Sequence, residues 1–166
     1  MLSSLFQLRK RTAGKAGGSS APDEGLEVLL EEHFAGQSLK TGPVEFLLVY
    51  VRAETPIQLS ARAGKIAELA VKQGALVQNL GGSLFLLGFG AAPLKNPPPG
   101  NRAQLLAELK RNLGDDTRIL HGAVQASFGF IGGETRNTFA LLLPKLDLML
   151  GYLSQLNFGQ VEEFNG

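Results

Sequence analysis

A short apolar segment in the first half of the chain, Val44 to Val51, restricts the fold more than any other feature. Glu45 is its only charged residue, and hydrophobic side chains occupy odd and even positions alike. Such a run is typical of a strand buried on both faces of a sheet, because a half-exposed strand alternates apolar and polar residues. We therefore predict that 44–51 is a central strand.

Helical and extended patterns alternate along the rest of the chain. Helices are predicted from Pro56 to Gly74, from Asn101 to Gly114 and from Pro144 onward, since each has apolar residues three or four positions apart. Strands are predicted at 75–80, 83–89, 118–128 and 137–143, with a short closing strand near 160–164. Gly81-Gly82 joins the strands 75–80 and 83–89 as a hairpin. A glycine-rich connection separates the strands 118–128 and 137–143. The proline-rich segment 90–100 is predicted to be an exposed loop.

The resulting order, βαββαββα, determines the predicted fold class. A hairpin between two helix-linked strands favours an α/β (α+β) sandwich with one mixed sheet and helices mainly on one face, in a ferredoxin-like order. We assign 43–166 to this globular domain. A chain of 166 residues is long enough to bury a core without metal or disulfide support.

Composition excludes several kinds of functional site. The chain has no cysteine, which rules out thiol nucleophiles, disulfides and cysteine-based zinc sites. Its two histidines, His33 and His121, are too few for a multi-histidine metal centre, so we predict no metal and no cofactor. A net charge of +1 argues against a nucleic-acid partner. We interpret His121, at the start of a predicted strand, as structural rather than catalytic.

The residues before the globular domain have a different composition. Residues 1–22 are predicted to be a flexible basic tail and linker, and 23–42 a leader helix (24–35) with its connection. Two interpretations of the tail stay open, a disordered segment or a short amphipathic hook for a protein partner or an anionic membrane surface. The hook residues are Leu5, Phe6, Arg9, Lys10 and Arg11. Because its basic residues follow the apolar ones, the tail is unlike a signal peptide, and we expect a cytoplasmic protein, peripheral at the inner membrane face in the hook case.

Two glycine clusters are candidates for binding an anion through backbone amides. Gly81-Gly82 lacks the spacing of phosphate-binding loops, so a hairpin turn is the simpler interpretation. The second cluster, 128–133, contains Gly129 and Gly132. There, strand curvature and a tight connection compete with anion binding as explanations.

Several segments resemble the catalytic domain of class III nucleotide cyclases, the adenylate and guanylate cyclases. Leu47 to Thr55 (LLVYVRAET) is similar to the family's metal-binding strand, and Val77 to Phe89 (VQNLGGSLFLLGF) to its second metal-binding segment. Leu120 to Gly133 (LHGAVQASFGFIGG) is similar to the family's HGI-type strand and G-x-I-G turn. Two further segments match. Leu29 to Phe34 resembles a leader of bacterial members, and Asn137 to Leu150 has the position of the strand and helix that hold the transition-state residues. The resemblance covers about 25–158 and implies a cyclase-like order of elements.

The resemblance also implies where the family's functional residues fall in this chain. The two aspartates that hold the divalent ions fall on Tyr50 and Gly82, and the purine-selecting lysine falls on Gln78. The family's asparagine falls near Asp147 and its phosphate-stabilising arginine near Gly151. None of these positions keeps the family's residue.

Loss of these residues bears directly on activity. Cyclization of a nucleoside triphosphate needs two divalent ions, which in turn need carboxylates. Glu54 and Asp147 are the only acids near enough for a shift of one or two positions to recruit. The resemblance therefore implies a degenerate domain that is not an enzyme.

Four functional hypotheses stay open. The first is a non-catalytic interaction or scaffold module that acts through dimerisation or partner docking, since cyclase domains pair head to tail. The second is a sensor that binds a nucleotide or cyclic nucleotide without turnover, with contacts at Gln78, Arg136, Gly129 and Gly132. The third is an enzyme with displaced catalytic acids, and the fourth is a longin-like or roadblock-like platform. A sheet with the hairpin strands at its edge would favour the cyclase-like fold over the platform.

Overall fold

The computed structural model describes residues 39–91, 101–133 and 136–166. The predicted tail, the hook and the leader helix lie outside these residues, as does most of the predicted 90–100 loop. The elements in chain order are β1 (Lys40–Val51), α1 (Pro56–Lys72), β2 (Leu76–Gly81), β3 (Leu84–Phe89), α2 (Arg102–Leu113), a short 3-10 turn (Gly114–Asp116), β4 (Thr117–Gly133), β5 (Arg136–Leu142), α3 (Leu146–Gln155) and β6 (Val161–Glu163).

The first two helices begin where the sequence predicts, because side chains cap them. The Thr55 hydroxyl accepts a hydrogen bond from the Gln58 backbone N–H at 3.2 Å, just before α1. The Asn101 side-chain oxygen accepts one from the Gln104 N–H at 2.8 Å, just before α2. Each cap satisfies a backbone donor that has no partner within the helix.

The described strands form one mixed sheet in the order β2-β3-β1-β4-β5, with β6 parallel to β4 beyond this path. β1 lies at the centre, antiparallel to both β3 and β4, which confirms the predicted central strand. The predicted closing strand is confirmed by β6. The hairpin strand β2 is at the edge of the sheet, the arrangement that favours the cyclase-like fold over the platform.

Several predicted boundaries are wrong. β1 begins at Lys40 rather than at Val44, and α3 begins at Leu146 rather than at Pro144. The sequence places a strand end at 128 and a glycine-rich connection after it, but β4 continues to Gly133. Gly129 pairs with Ala140 of β5, and Gly132 pairs with Asn137. Glycine is a poor strand residue by itself, but here the ladder to β5 supplies the hydrogen bonds that keep the segment extended.

Two hydrophobic cores lie on opposite faces of the sheet. Leu47 and Val49 of β1 belong to a core that contains residues of α1 and α2, whereas Phe46 and Leu48 belong to the core that contains Met149 of α3. Of the three described α-helices, two thus share one face, as predicted, and α3 covers part of the other. No helix in the described ranges is long and apolar enough to cross a membrane.

A single side chain connects β2 and β5, the first and last strands in the order β2-β3-β1-β4-β5. Gln78 of β2 donates its amide N–H to the Leu141 carbonyl at 3.3 Å and accepts the Leu141 N–H at 2.6 Å. Leu141 lies on β5, and its Cδ2 comes so close to Gly88 of β3 that a Cβ there would lie 2.5 Å from it. The sheet therefore curls around the α3-side core, and Gln78 satisfies edge groups of β5.

This bridge predicts a stability effect. Gln78→Met removes both hydrogen bonds and leaves the half-buried Leu141 N–H and carbonyl without them, so we expect the free energy of unfolding to fall by about 1–3 kcal/mol. Urea unfolding measures the difference. The matched control is Gln125→Met, at an exposed position of β4, which should change stability by less than about 0.5 kcal/mol. Equal effects of the two substitutions would contradict the bridge.

Candidate functional site

The two positions that the resemblance assigns to metal ligands lie at the same corner of the sheet. Tyr50, near the end of β1, pairs with Leu84 of β3, and the next residue, Val51, donates its N–H to the Ser83 carbonyl at 2.9 Å. Gly82 precedes Ser83 in the β2–β3 turn, with a φ of 54°. Residues far apart in sequence thus meet here, and the two positions that the resemblance assigns to carboxylates hold a phenol and a glycine backbone.

Aromatic and guanidinium groups occupy this corner. The ring of Tyr50 lies 6.2 Å from the ring of Phe158, centroid to centroid. The Arg118 guanidinium is 4.3 Å from the Phe158 centroid and 5.6 Å from that of Tyr50, and the Arg52 guanidinium is 4.7 Å from that of Phe158. Both arginines are within the distance at which a cation is attracted to a ring face. We call Tyr50, Arg52, Arg118 and Phe158 the arginine–aromatic stack.

Backbone register explains how the stack forms. Tyr50 is directly opposite Arg118 on β4, so the two side chains leave the same face of the sheet. Phe158 follows α3 and comes before β6. Arg118 donates from Nη1 to the Ser154 carbonyl in α3 at 3.2 Å, while its Nε is buried with no hydrogen-bond partner among the described residues.

One carboxylate near the stack, that of Asp116, pairs with Arg52 of the stack and with Arg62 of α1. Arg52 places Nη2 2.9 Å from Oδ1 of Asp116, and Arg62 places Nη2 3.1 Å from Oδ2 of the same residue. Asp116 therefore accepts from two guanidinium groups. Asp115 is its neighbour in the 3-10 turn. An acid that bridges two arginines is a poor ligand for a divalent cation, because the cation would have to displace or approach positive groups.

The two acids that a small shift of the resemblance could recruit are both exposed. Glu54 precedes α1, where its backbone N–H donates to the Gln58 side chain at 3.0 Å. Asp147 is in the first turn of α3. In the ranges that the structure describes, no group of three or more histidine and acidic side chains is arranged to hold a metal ion.

The structure separates three of the four predicted ligand-binding residues, Gly129, Gly132 and Arg136, from this corner. Gly129 and Gly132 pair with β5 beyond the first residue of β1, about 36 and 46 Å along the extended strand from Arg118. Arg136 pairs with Gly133 at the start of β5. Gln78 bonds Leu141, as described above, so its amide is already in use. Their role in binding a nucleotide stays a prediction.

Most of the stack was not foreseeable from the sequence. Phe158 stands in no motif, and the pairing of Tyr50 with Arg118 depends on the β1–β4 register, which no local pattern encodes. Gly151, by contrast, is exposed on α3, and a Cβ at this position would meet nothing within 4 Å. That position could accept a longer side chain without strain.

His121 lies on the opposite face of the sheet from the stack. It pairs with Glu163 of β6, and its Nδ1 is buried with no partner among the described residues. Burial, and secondarily the charge of Arg102, holds its pKa below the ordinary 6.5, against the opposing effect of Glu163. The structural role predicted for it stays a prediction.

This lowered pKa predicts a pH effect on stability. The unfolded histidine, with a pKa of about 6.5, takes up a proton more readily than the folded one, so protonation favours unfolding. The stabilisation is complete above the unfolded pKa and is lost as the pH falls through the lower folded value. We expect the free energy of unfolding, measured with urea, to decrease more between about pH 7 and pH 5 for the wild type than for His121→Gln. Identical pH profiles for the two chains would contradict this.

Comparison with known proteins identifies the fold. No protein-family model matches the chain, and no curated protein matches it by sequence. Among solved structures it is similar to the guanylyl cyclase Cya2, with a TM-score of 0.53, 17% identity and 74% coverage of both chains. It is also similar to the adenylyl cyclase CyaB from P. aeruginosa, with a TM-score of 0.54, 13% identity and coverage of 75% of this chain and 77% of that one.

A third match has the same extent. The catalytic core of a rhodopsin-guanylyl cyclase with converted specificity, in complex with ATPαS, has a TM-score of 0.54 and 15% identity over 75% of this chain and 78% of that one. These neighbours confirm the predicted fold class. The chain has the fold of a class III nucleotide cyclase catalytic domain.

Proposed function

We propose that this chain is a non-catalytic interaction module, built on a nucleotide-cyclase fold, that pairs with a second copy of itself. The observation that carries the proposal is the arginine–aromatic stack at the corner to which the resemblance assigns the metal ligands. Tyr50 and Gly82 offer no carboxylate there. Guanidinium groups next to them oppose a divalent cation, which cyclization of a nucleoside triphosphate requires.

An exposed apolar surface supports the interaction part of the proposal. Leu148 and Tyr152 lie one turn apart on α3 and are 49% and 45% exposed, and Tyr50 is 39% exposed on the same side of the sheet. We call these three residues the α3-side surface. Arg118 links its two parts, since it packs on Tyr50 and bonds the α3 carbonyl of Ser154. Aromatic residues and arginine are enriched at protein interfaces, and lysine and acidic residues are depleted there.

The expected partner is a second copy of the chain. The resemblance to cyclase domains implies head-to-tail pairing, with the interface on the side that holds the active site. Loss of the chemistry does not require loss of the pairing, because a fold is retained independently of the site it carries. The exposed apolar residues are what such pairing would bury.

The sensor hypothesis stays a prediction without a favouring observation. The amide of Gln78 would have to release Leu141 before it could bind a base. A rise in the melting temperature with ATP, GTP or their cyclic products would favour this hypothesis, since a ligand at a hundred times its dissociation constant adds about 2.7 kcal/mol. Cytoplasmic location and peripheral membrane contact also stay predictions.

Leu148→Lys tests the self-association. A charge in place of an exposed apolar residue barely affects the folded monomer but must be desolvated in an interface, so we expect the dimer dissociation constant to rise at least about tenfold. Sedimentation velocity at low micromolar concentration measures it. The matched control is Ala107→Lys, which adds the same charge at an exposed position of α2 on the other side of the sheet. A wild-type chain that sediments as a monomer, or equal effects of both substitutions, would contradict the proposal.

A further inference from the structure

The outer face of α1 carries the two most exposed large apolar residues of the described chain. Ile57 is 82% exposed and Val71 is 65% exposed. The buried face of the same helix is formed by Ile66, Leu69 and Ala70, so both exposed residues point away from the core. This face is separate from the α3-side surface, because α1 packs on the opposite side of the sheet.

Ile57 and Val71 lie at equal distances from Gly64. Seven residues are nearly two helical turns, so Ile57, Gly64 and Val71 form a line along the helix, with about 10.5 Å between successive positions. Ala61 and Gly64, in the middle of the line, have a small side chain and none, so the helix surface there is close to the backbone. A Cβ at Gly64 would meet nothing within 4 Å. We call Ile57, Ser60, Ala61, Gly64, Glu68 and Val71 the α1 stripe.

The α1 stripe is self-complementary about Gly64. If a second α1 lies antiparallel with a two-fold axis at Gly64, Ile57 meets Val71 of the second copy, and Val71 meets Ile57. The low centre of each helix then faces the low centre of the other, which lets the two backbones approach closely. A two-fold contact uses the same patch on both copies, and every favourable pair is made twice.

Charges at the ends of the helix select the antiparallel direction. Glu54 is exposed just before α1, and Lys72 is the last residue of α1, with 65% of its side chain exposed. Antiparallel copies bring Glu54 of each near Lys72 of the other, whereas parallel copies would place like charges together. Lys72 also lies 3.4 Å from Glu108 of its own chain, a contact that an exposed ammonium can keep.

The central acid of the stripe also finds a partner in this arrangement. Glu68 accepts from Lys65 in its own helix at 3.3 Å and is otherwise exposed. By the same symmetry, Ser60 of the second copy lies opposite Glu68. Its hydroxyl can donate to the carboxylate, so the acid does not lose its hydrogen bonds on docking.

We propose that a second copy of this chain docks antiparallel on the α1 stripe, across a two-fold axis at Gly64. A helix of this length is about 25 Å long, so the contact belongs to the small class below about 1,200 Å² that forms weak, transient complexes. It goes beyond the pairing proposed above, because it uses the other side of the sheet. Together the two contacts allow more than two copies to assemble.

A cysteine placed at the axis tests the arrangement. The chain has no native cysteine, so Gly64→Cys introduces the only thiol. On the axis the two thiols meet, and their Cα atoms fall within the roughly 4.4–6.8 Å that a disulfide spans. Under mild oxidation we expect Gly64→Cys to form a covalent dimer at least about tenfold faster than Glu68→Cys, whose two copies are offset by about 12 Å along the helix. Non-reducing electrophoresis measures both rates.

Mixed and compensating variants test the register. Ser60→Cys mixed with Glu68→Cys should form a heterodimer faster than either variant alone. In the Gly64→Cys chain, Ile57→Glu or Val71→Lys should slow the reaction, and the two together should restore it, since each introduced acid then meets an introduced amine. Equal rates at 64 and 68, or failure of the double variant to restore the rate, would overturn the proposal.

The same measurements with Leu148→Lys keep the two contacts apart. The α1 disulfide should still form preferentially at position 64 in this background, even if the α3-side pairing is weakened. Loss of the preference only in this background would mean that the α1 contact depends on the other interface, which would overturn the independent contact proposed here. If the wild type and Leu148→Lys sediment with the same mass while the position-64 disulfide still forms, that result counts against the α3-side pairing alone.

Discussion

The structure depends on the complete burial of one strand from both sides. Phe46, Leu47, Leu48 and Val49 of β1 are fully buried, and successive residues enter different cores. This strand pairs with both β3 and β4, so it fixes their register as well as the positions of the helices packed against them. A polar residue at any of these four positions would lose solvation without gaining a partner.

The same strand also positions Tyr50 of the candidate site. Tyr50 comes directly after the buried run and leaves the face that α3 partly covers, opposite Arg118. The Tyr50 ring lies there beside Arg52, which directly follows β1, Arg118 of β4 and Phe158, which follows α3.

The parts that the sequence predicts well are those encoded by local patterns. The caps at Thr55 and Asn101 and the apolar run of β1 give the helix starts and the central strand. The length of β4 was wrong, because its glycines are held extended by pairing with a distant segment. The arginine–aromatic stack and the Gln78 bridge share this dependence on tertiary register, and no spacing in the sequence predicts them.

We propose that the corner at Tyr50 and Gly82 holds an arginine–aromatic stack and does not bind a divalent cation. Electron paramagnetic resonance of free Mn²⁺ tests it most directly, with the purified full chain added to the ion in the presence and absence of ATP or GTP. We expect the free Mn²⁺ signal to depend on the nucleotide but not on the chain. If adding the chain lowers the free Mn²⁺ signal, and if Glu54→Gln or Asp147→Asn prevents this decrease, the chain binds the ion. That result would contradict the proposal.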